Sequence, residues 1–134
     1  MNDIQNILDI TFPFIEKLLR DYGEFYPLAS FVNLKYEVEQ LLLPEDEEND
    51  FPKSIGVIGE IKKELRWKRD KCIAIAIFYD VKLKDKETDA IAVFVEHKNE
   101  KQAYTFYYPY KLIDNNLIFS ESWKVIEEKQ ILTN

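Results

Sequence analysis

The chain has 134 residues, of which 46% are hydrophobic and 14% aromatic, so it fits a single domain, residues 1–134, with its own core. With 18 Lys and Arg against 25 Asp and Glu, the net charge is −7, which disfavours nucleic acid as a partner and permits a basic protein. The one cysteine excludes an internal disulfide and fits the reducing cytoplasm. Neither a signal peptide nor a bilayer-spanning apolar run is predicted, so we expect a cytoplasmic protein without a membrane segment.

The first predicted element is an amphipathic helix over residues 3–22, because apolar residues recur there at steps of three and four. The stripe consists of Ile4, Ile7, Leu8, Phe12, Ile15, Leu18, Leu19 and Tyr22. Pro13 interrupts it: either the helix bends at this residue, or the principal helix begins near it with Thr11 as its cap. Gly23 is predicted to end the helix, because the residue just past a helix often needs a positive φ.

A β-hairpin is predicted next, at about residues 25–42, with alternating side chains in its second strand. Phe25 and Phe31 are expected to enter the core. An acidic segment between two prolines follows, PEDEENDFPK at residues 44–53. We interpret this segment as a solvated loop, because it lacks the central glycine and the alternating acids of a calcium-binding loop.

A second helix is predicted from Ser54 to about Arg69, and its apolar stripe consists of Ile55, Ile58, Ile61 and Leu65. At 100° per residue Trp67 falls opposite this stripe, so it either projects outward or follows the end of the helix. Six basic residues surround Trp67 in KKELRWKRDK, residues 62–71. We interpret them as a solvated helix face supported by Glu60 and Glu64, with binding of single-stranded nucleic acid as the alternative.

Three further strands are predicted at residues 72–83, 90–98 and 102–110. The first is apolar on both faces and has small residues on one of them, which is typical of a central strand that a helix approaches closely. In the third, Tyr104, Phe106 and Tyr108 alternate with Thr105 and Tyr107. One set of aromatic side chains is therefore expected in the core, and the other is exposed unless its face is covered.

The order α-β-β-α-β-β-β predicts an α+β fold. The hairpin and the three-stranded meander would form an antiparallel sheet with the helices packed on one face. This element order is similar to that of roadblock, longin and profilin-type domains, and order alone says little about function.

No catalytic residue, cofactor site or metal site is predicted. His97 and Cys72 are the only histidine and cysteine, and their separation does not match metal-ligand spacing. They are also the only possible thiol–base pair, and antiparallel strands could bring them together, so their contact is left open. Neither a glycine-rich phosphate loop nor a nucleophile elbow is present, and the sequence therefore disfavours an enzyme.

The segment GEFYPLA, Gly23 to Ala29, follows the predicted N-terminal helix. It resembles the Gly-Glu-Phe-Tyr-Pro-Phe-like signature of a group of small bacterial proteins, with Leu28 where an aromatic residue is common. Small acidic bacterial domains of this kind resemble immunity proteins, which neutralise a partner toxin. The resemblance implies a kinship in fold and element order.

The leading hypothesis is a non-enzymatic, cytoplasmic protein-binding module, with an immunity-type antagonist of a toxin as its narrower form. The candidate interaction residues are Glu24, Tyr26, Trp67, Tyr104, Tyr107 and Tyr108. The alternative is a small-ligand-binding or enzymatic domain with a pocket between helix and sheet. That alternative predicts a deep cavity lined by Glu24, Tyr26 or His97.

Overall fold

The computed structural model describes residues 2–42 and 54–133, so the predicted solvated loop at residues 44–53 lies outside the described residues. The helices and strands of these ranges are α1 (Asn2–Tyr22), β1 (Leu28–Asn33), β2 (Val38–Gln40), α2 (Ser54–Trp67), β3 (Cys72–Leu83), β4 (Thr88–His97), β5 (Ala103–Ile113), β6 (Asn116–Phe119) and β7 (Trp123–Glu127). Single turns of 3₁₀ helix, at Arg69–Lys71 and Lys84–Lys86, precede and follow β3.

The strands form one antiparallel sheet with the order β2-β1-β3-β4-β5-β6. The long strand β5 pairs with β7 along its first half and with β6 along its second half. At the centre of the sheet, Ala76 of β3 lies opposite Ser30 of β1 and Val95 of β4. The predicted α+β class with an antiparallel sheet is confirmed.

Helix α1 runs without a break through Pro13, so the alternative in which a new helix begins there is wrong. Thr11 is not a cap, because its buried Oγ1 lies 3.0 Å from Oγ of Ser30 on β1. The predicted stop at Gly23 is confirmed: its φ is 76°, and its amide donates to the carbonyl of Leu19 at 2.8 Å. A left-handed residue of this kind satisfies one of the last carbonyls of a helix.

The two helices cover opposite faces of the sheet. Ala74, Ala76 and Phe78 of β3 belong to the buried cluster that contains the α1 side chains. Ile75 and Ile77 alternate with them and belong to the cluster that contains Ile61 and Leu65 of α2. This corrects the expectation that the helices share one face. Since both faces of β3 are apolar, each face needs its own helix to exclude water.

The C-terminal segment is held against the α2 face by a buried carboxylate. Glu96 of β4 is only 1% exposed, and it accepts hydrogen bonds from the amides of Gln130, Ile131 and Leu132 at 2.8, 3.0 and 2.8 Å. Ile131 is fully buried in the α2-side cluster. Burying a carboxylate without hydrogen-bond donors costs roughly several kcal/mol of folding free energy. The three amides therefore make the burial of Glu96 possible.

We expect Glu96→Ala to lower the free energy of unfolding by about 2–4 kcal/mol, because it leaves one buried and two partly buried amides without their acceptor. Urea denaturation measures this loss, and amide hydrogen exchange is expected to accelerate most at residues 130–132. Glu128→Ala is the matched control, since Glu128 is exposed in the same segment, and its effect is expected to stay within about 0.5 kcal/mol. Equal effects of the two substitutions would contradict the role given to Glu96.

Candidate functional site

A surface groove of about 420 Å³ lies between α1 and the strands β5 and β6, and we call it the α1 groove. Its lining residues are Gln5, Leu8, Asp9, Phe12, Pro13 and Glu16 from α1, Tyr108 from β5 and Phe119 from β6. The lining includes two carboxylates and three aromatic rings, and none of the eight residues is basic. The groove therefore combines negative charge with an aromatic surface.

The helical side of the α1 groove is a second stripe on α1, beside the stripe that enters the core. Gln5, Asp9, Phe12 and Glu16 follow one another at steps of four, three and four, so they share one flank of the helix. The Gln5 amide nitrogen Nε2 donates to Oδ1 of Asp9 at 2.8 Å. This hydrogen bond orients the Asp9 carboxylate, which is exposed at the groove.

Phe12 connects this flank to the aromatic side chains of the sheet. Its ring centroid lies 4.9 Å from that of Tyr108, with the planes at 76°, and 6.2 Å from that of Phe119. Below it, Phe78 of the core makes a further edge contact at 6.3 Å. Edge-to-face rings of this kind pack specifically, and their faces attract cations. With Asp9 and Glu16 beside the rings, the groove is suited to a cationic guest.

A carboxyl–phenol pair lies on the same sheet face as the groove. The Tyr110 hydroxyl donates to Oδ1 of Asp80 at 2.8 Å, and Tyr110 lies opposite Phe119 in the β5–β6 ladder. Burial raises the pKa of Asp80 to about 6; the hydrogen bond from Tyr110 lowers the pKa, and the charges of Asp89 and Glu24 raise it further. Burial also raises the pKa of Tyr110, which stays protonated. Negative charge therefore continues beyond the groove along this face.

The structure does not bring the six candidate residues together. Glu24 and Tyr26 lie in the connection from α1 to β1, and Tyr26 is exposed. Tyr104 and Tyr108 lie on the α1 face of β5, with Tyr107 on the opposite face, so the predicted alternation is confirmed. Of the six, only Tyr108 lines the α1 groove.

The other aromatic candidates have separate surroundings. Tyr104 lies under Lys124, whose Nζ is 4.9 Å from the ring centroid. Tyr107 stacks on Trp123 with the ring centroids 5.4 Å apart. Trp67 ends α2 and is 87% exposed, which agrees with the predicted outward direction. Since α2 packs on β1 and β3, Trp67 and the β5 tyrosines belong to different parts of the surface.

Sequence reasoning missed Asp9, Glu16 and Phe119 as site residues, and it assigned Phe12 only to the core. The available signal was the acid–aromatic–acid pattern at positions 9, 12 and 16, which has helical spacing but differs from the apolar stripe. Phe119 carries no such signal, because its position depends on the pairing of β6 with the end of β5.

Cys72 and His97 have different hydrogen-bond partners. The Cys72 thiol donates to the carbonyl of Lys68 at 3.4 Å, and burial raises its pKa to about 11, so the reactive thiolate is scarce at neutral pH. His97 Nδ1 accepts the amide of Asn99 at 3.1 Å, which leaves Nε2 to donate to Asp3 Oδ2 at 2.8 Å. His97 therefore anchors the start of α1. Within residues 2–42 and 54–133, no group of three or more acidic, histidine or cysteine side chains is arranged to hold a metal ion.

Three side chains of the basic cluster at residues 62–71 contact other parts of the fold, and four of its six basic residues are exposed. Lys62 Nζ lies 5.8 Å from the centroid of the Phe94 ring, and Lys68 Nζ lies 5.1 Å from that of Phe31. Arg66 Nε donates to the carbonyl of Gln130 at 3.0 Å. These contacts hold α2 and the C-terminal segment against the sheet, and nucleic-acid binding by the cluster stays a prediction.

A second groove, of about 760 Å³, lies between the β1–β2 turn and the residues that follow α2. It is lined by Phe31, Asn33, Leu34, Lys35, Glu37, Val38, Glu39, Lys68 and Lys71. Its charges are of both signs, so it selects no clear class of ligand. The small-ligand alternative predicted a cavity lined by Glu24, Tyr26 or His97. None of these three residues lines either groove.

Comparisons with protein-family models, curated proteins and solved structures find no match to the chain. The likeness to the GEFYP-like group and to immunity proteins therefore stays a prediction. Across the part of the chain that the structure describes, no helix is both long and apolar enough to cross a membrane.

We expect Asp80→Asn to raise the free energy of unfolding at pH 7 by about 1 kcal/mol, because the half-buried carboxylate is ionised there at a cost that solvent partly screens. The raised pKa means that the folded state binds the proton more tightly than the unfolded chain, whose aspartate has a pKa near 3.8. The advantage of the variant should therefore shrink as the pH falls from 7 through about 6 towards 4. Urea denaturation at several pH values measures it.

Asp85→Asn is the matched control, because Asp85 is exposed at the turn after β3. Its stability difference from the wild type is expected to stay small across the same pH range. An Asp80→Asn variant that is less stable than the wild type at pH 7, or whose advantage grows on acidification, would show that the Asp80 carboxylate stabilises the fold.

Proposed function

We propose that this protein is a non-enzymatic module that binds a basic protein partner, and that the α1 groove is its contact surface. The observation that carries the proposal is the groove lining, in which Asp9 and Glu16 flank aromatic rings and no basic side chain is present. Cation–π contacts contribute roughly 0.5–1 kcal/mol each at exposed sites, and aromatic residues are enriched in the cores of protein interfaces. A Lys or Arg side chain with its long apolar stem fits both properties.

The net charge of −7 supports the same partner, because an acidic surface attracts a basic protein over a distance and accelerates their association. Asp80, Asp89 and Glu24, which lie near one another on the α1 face, extend the acidic surface beyond the groove. The groove lies on α1 and two paired strands, so its side chains are held on rigid elements.

A narrower form of the proposal is that the basic partner is a toxin and that this protein neutralises it in the cytoplasm. Its support is the small size of the chain, its acidity and the lack of a predicted catalytic set, the features in which small acidic bacterial domains of this kind resemble immunity proteins. The toxin form also predicts that one equivalent of the protein abolishes the activity of the partner.

The test is capture of partners from the native host with three purified proteins. They are the wild type, the groove variant Asp9→Asn/Glu16→Gln, and the control variant Asp21→Asn/Glu121→Gln. Both variants change the net charge from −7 to −5, and the control removes exposed acids that do not line the groove. We expect a basic protein that the wild type and the control retain and the groove variant loses. Affinities are then measured by titration calorimetry at two salt concentrations.

The groove variant is expected to bind the partner about threefold to tenfold more weakly, which corresponds to two exposed ion pairs, and the difference should shrink at high salt. Equal binding by all three proteins would remove the α1 groove from the proposal. Retention of acidic proteins alone would contradict a basic partner. A partner whose activity is unaffected by the bound protein would remove the toxin form.

A second candidate, from another class, is an enzymatic or ligand-binding domain that uses the pocket between helix and sheet. The observation in its favour is Asp80, since a pKa near neutrality is typical of acid–base groups at active sites. It has less support, because the Asp80 carboxylate accepts the Tyr110 hydroxyl and lines neither groove.

A further inference from the structure

We infer that the partner presents an amphipathic helix to the α1 groove, with Lys or Arg residues seven positions apart and an apolar residue between them. This inference rests on the proposed function and specifies the shape of the guest at the same site. Its basis is the spacing of the groove carboxylates along α1, the volume of the groove and the chemistry of Pro13.

The spacing selects a helix. Asp9 and Glu16 are seven residues apart on one flank of α1, which corresponds to about 10.5 Å along the helix axis. Two basic residues at i and i+7 of a partner helix have the same separation and also share one face. In an extended strand, residues on one face are about 6.6 or 13 Å apart, so neither spacing matches both carboxylates.

The volume limits what enters the groove. A cavity of about 150 Å³ accommodates a benzene ring, so 420 Å³ accommodates roughly three side chains. A helix about 10 Å across is too wide to enter. The partner helix therefore lies over the groove and inserts side chains. Since Phe12 lies between Asp9 and Glu16, the middle side chain of the guest is apolar and the outer two are basic.

Pro13 leaves a backbone carbonyl of α1 without its intrahelical donor, at the Asp9 end of the carboxylate pair. It has no amide hydrogen, so the carbonyl of Asp9 lacks its usual donor four residues later in α1. Asp9 and Pro13 both line the groove. A guest Lys or Arg at this end can therefore donate to the Asp9 carboxylate and to the Asp9 carbonyl, and Arg offers more donors for two acceptors than Lys does.

The test measures binding of fluorescein-labelled synthetic peptides to the full-length protein by fluorescence anisotropy at low salt. The first peptide is an alanine-based helix with Lys at positions i and i+7 and Leu at i+4. The second has the same composition with the second Lys at i+5, which turns it away from the first by about 140°. The third is a polyproline segment with Lys three positions apart, about 9 Å, which is the nearest non-helical spacing. Circular dichroism confirms that the first two are equally helical.

We expect the i, i+7 peptide to bind about threefold to tenfold more tightly than its isomer and the polyproline segment. This preference should disappear in Asp9→Asn/Glu16→Gln and persist in Asp21→Asn/Glu121→Gln. Replacing the Lys at the Asp9 end by Arg should tighten binding further. The three peptides are compared on the same folded protein, so their ranking does not depend on its stability. For the variants, thermal unfolding checks separately that the fold is retained.

The outcomes separate this inference from the proposed function. Equal binding of all three peptides that is lost in the groove variant overturns the helical guest and leaves a basic partner at the α1 groove. Tighter binding of the polyproline segment overturns the helical guest in the same way. Binding that is insensitive to the groove variant, or absent for every basic peptide, overturns both.

Discussion

The burial of β3 on both of its faces is the constraint on which the rest of the structure depends. Its residues from Cys72 to Phe78 are at most 3% exposed, so each face must be covered along more than half of this strand of 12 residues. The small side chains of Ala74 and Ala76 let α1 approach one face, and the larger Ile75 and Ile77 meet α2 on the other. Full burial of one large apolar side chain contributes roughly 1.5–3 kcal/mol. The summed free-energy cost of exposing either face would therefore exceed the stability of a small domain.

The features that could be predicted from sequence are those determined by local patterns. The 3.6-residue period of α1, the left-handed stop at Gly23 and the alternation from Tyr104 to Tyr108 each depend on a short stretch of chain. The placement of the helices could not be predicted in the same way. Periodicity shows which residues of a helix are buried, but it does not show which of two apolar sheet faces buries them.

The groove and the Glu96 contacts were missed because they depend on distant pairing. Phe12 and Phe119 are 107 residues apart, and they meet only because β6 pairs with the end of β5. The donors to Glu96 are backbone amides, which every residue except proline possesses, so no residue pattern marks them. A buried glutamate looks in sequence like any other acid on a strand.

Helix α1 serves two purposes with two adjacent flanks. One flank carries Ile7, Ile15 and Leu19 into the core, and the other presents the carboxylates of the α1 groove. Phe12 belongs to both, since it contacts Phe78 in the core and Tyr108 in the groove. A change in the core beneath α1 would therefore reach the groove through Phe12, and also through Leu8 and Tyr108, which pack on the same core cluster and line the groove.

The contacts of Glu96 also bear on how the chain folds during its synthesis. The donors lie 34 to 36 residues after Glu96, so β4 is made long before the amides that satisfy its buried carboxylate. Until those amides leave the ribosome, closing the α2 face would trap a charge without partners, and the nascent sheet is favoured to stay open on that side. Folding of the α2 side of the sheet is thus coupled to the synthesis of residues 130–132, which makes closure of this layer a later step than formation of β4.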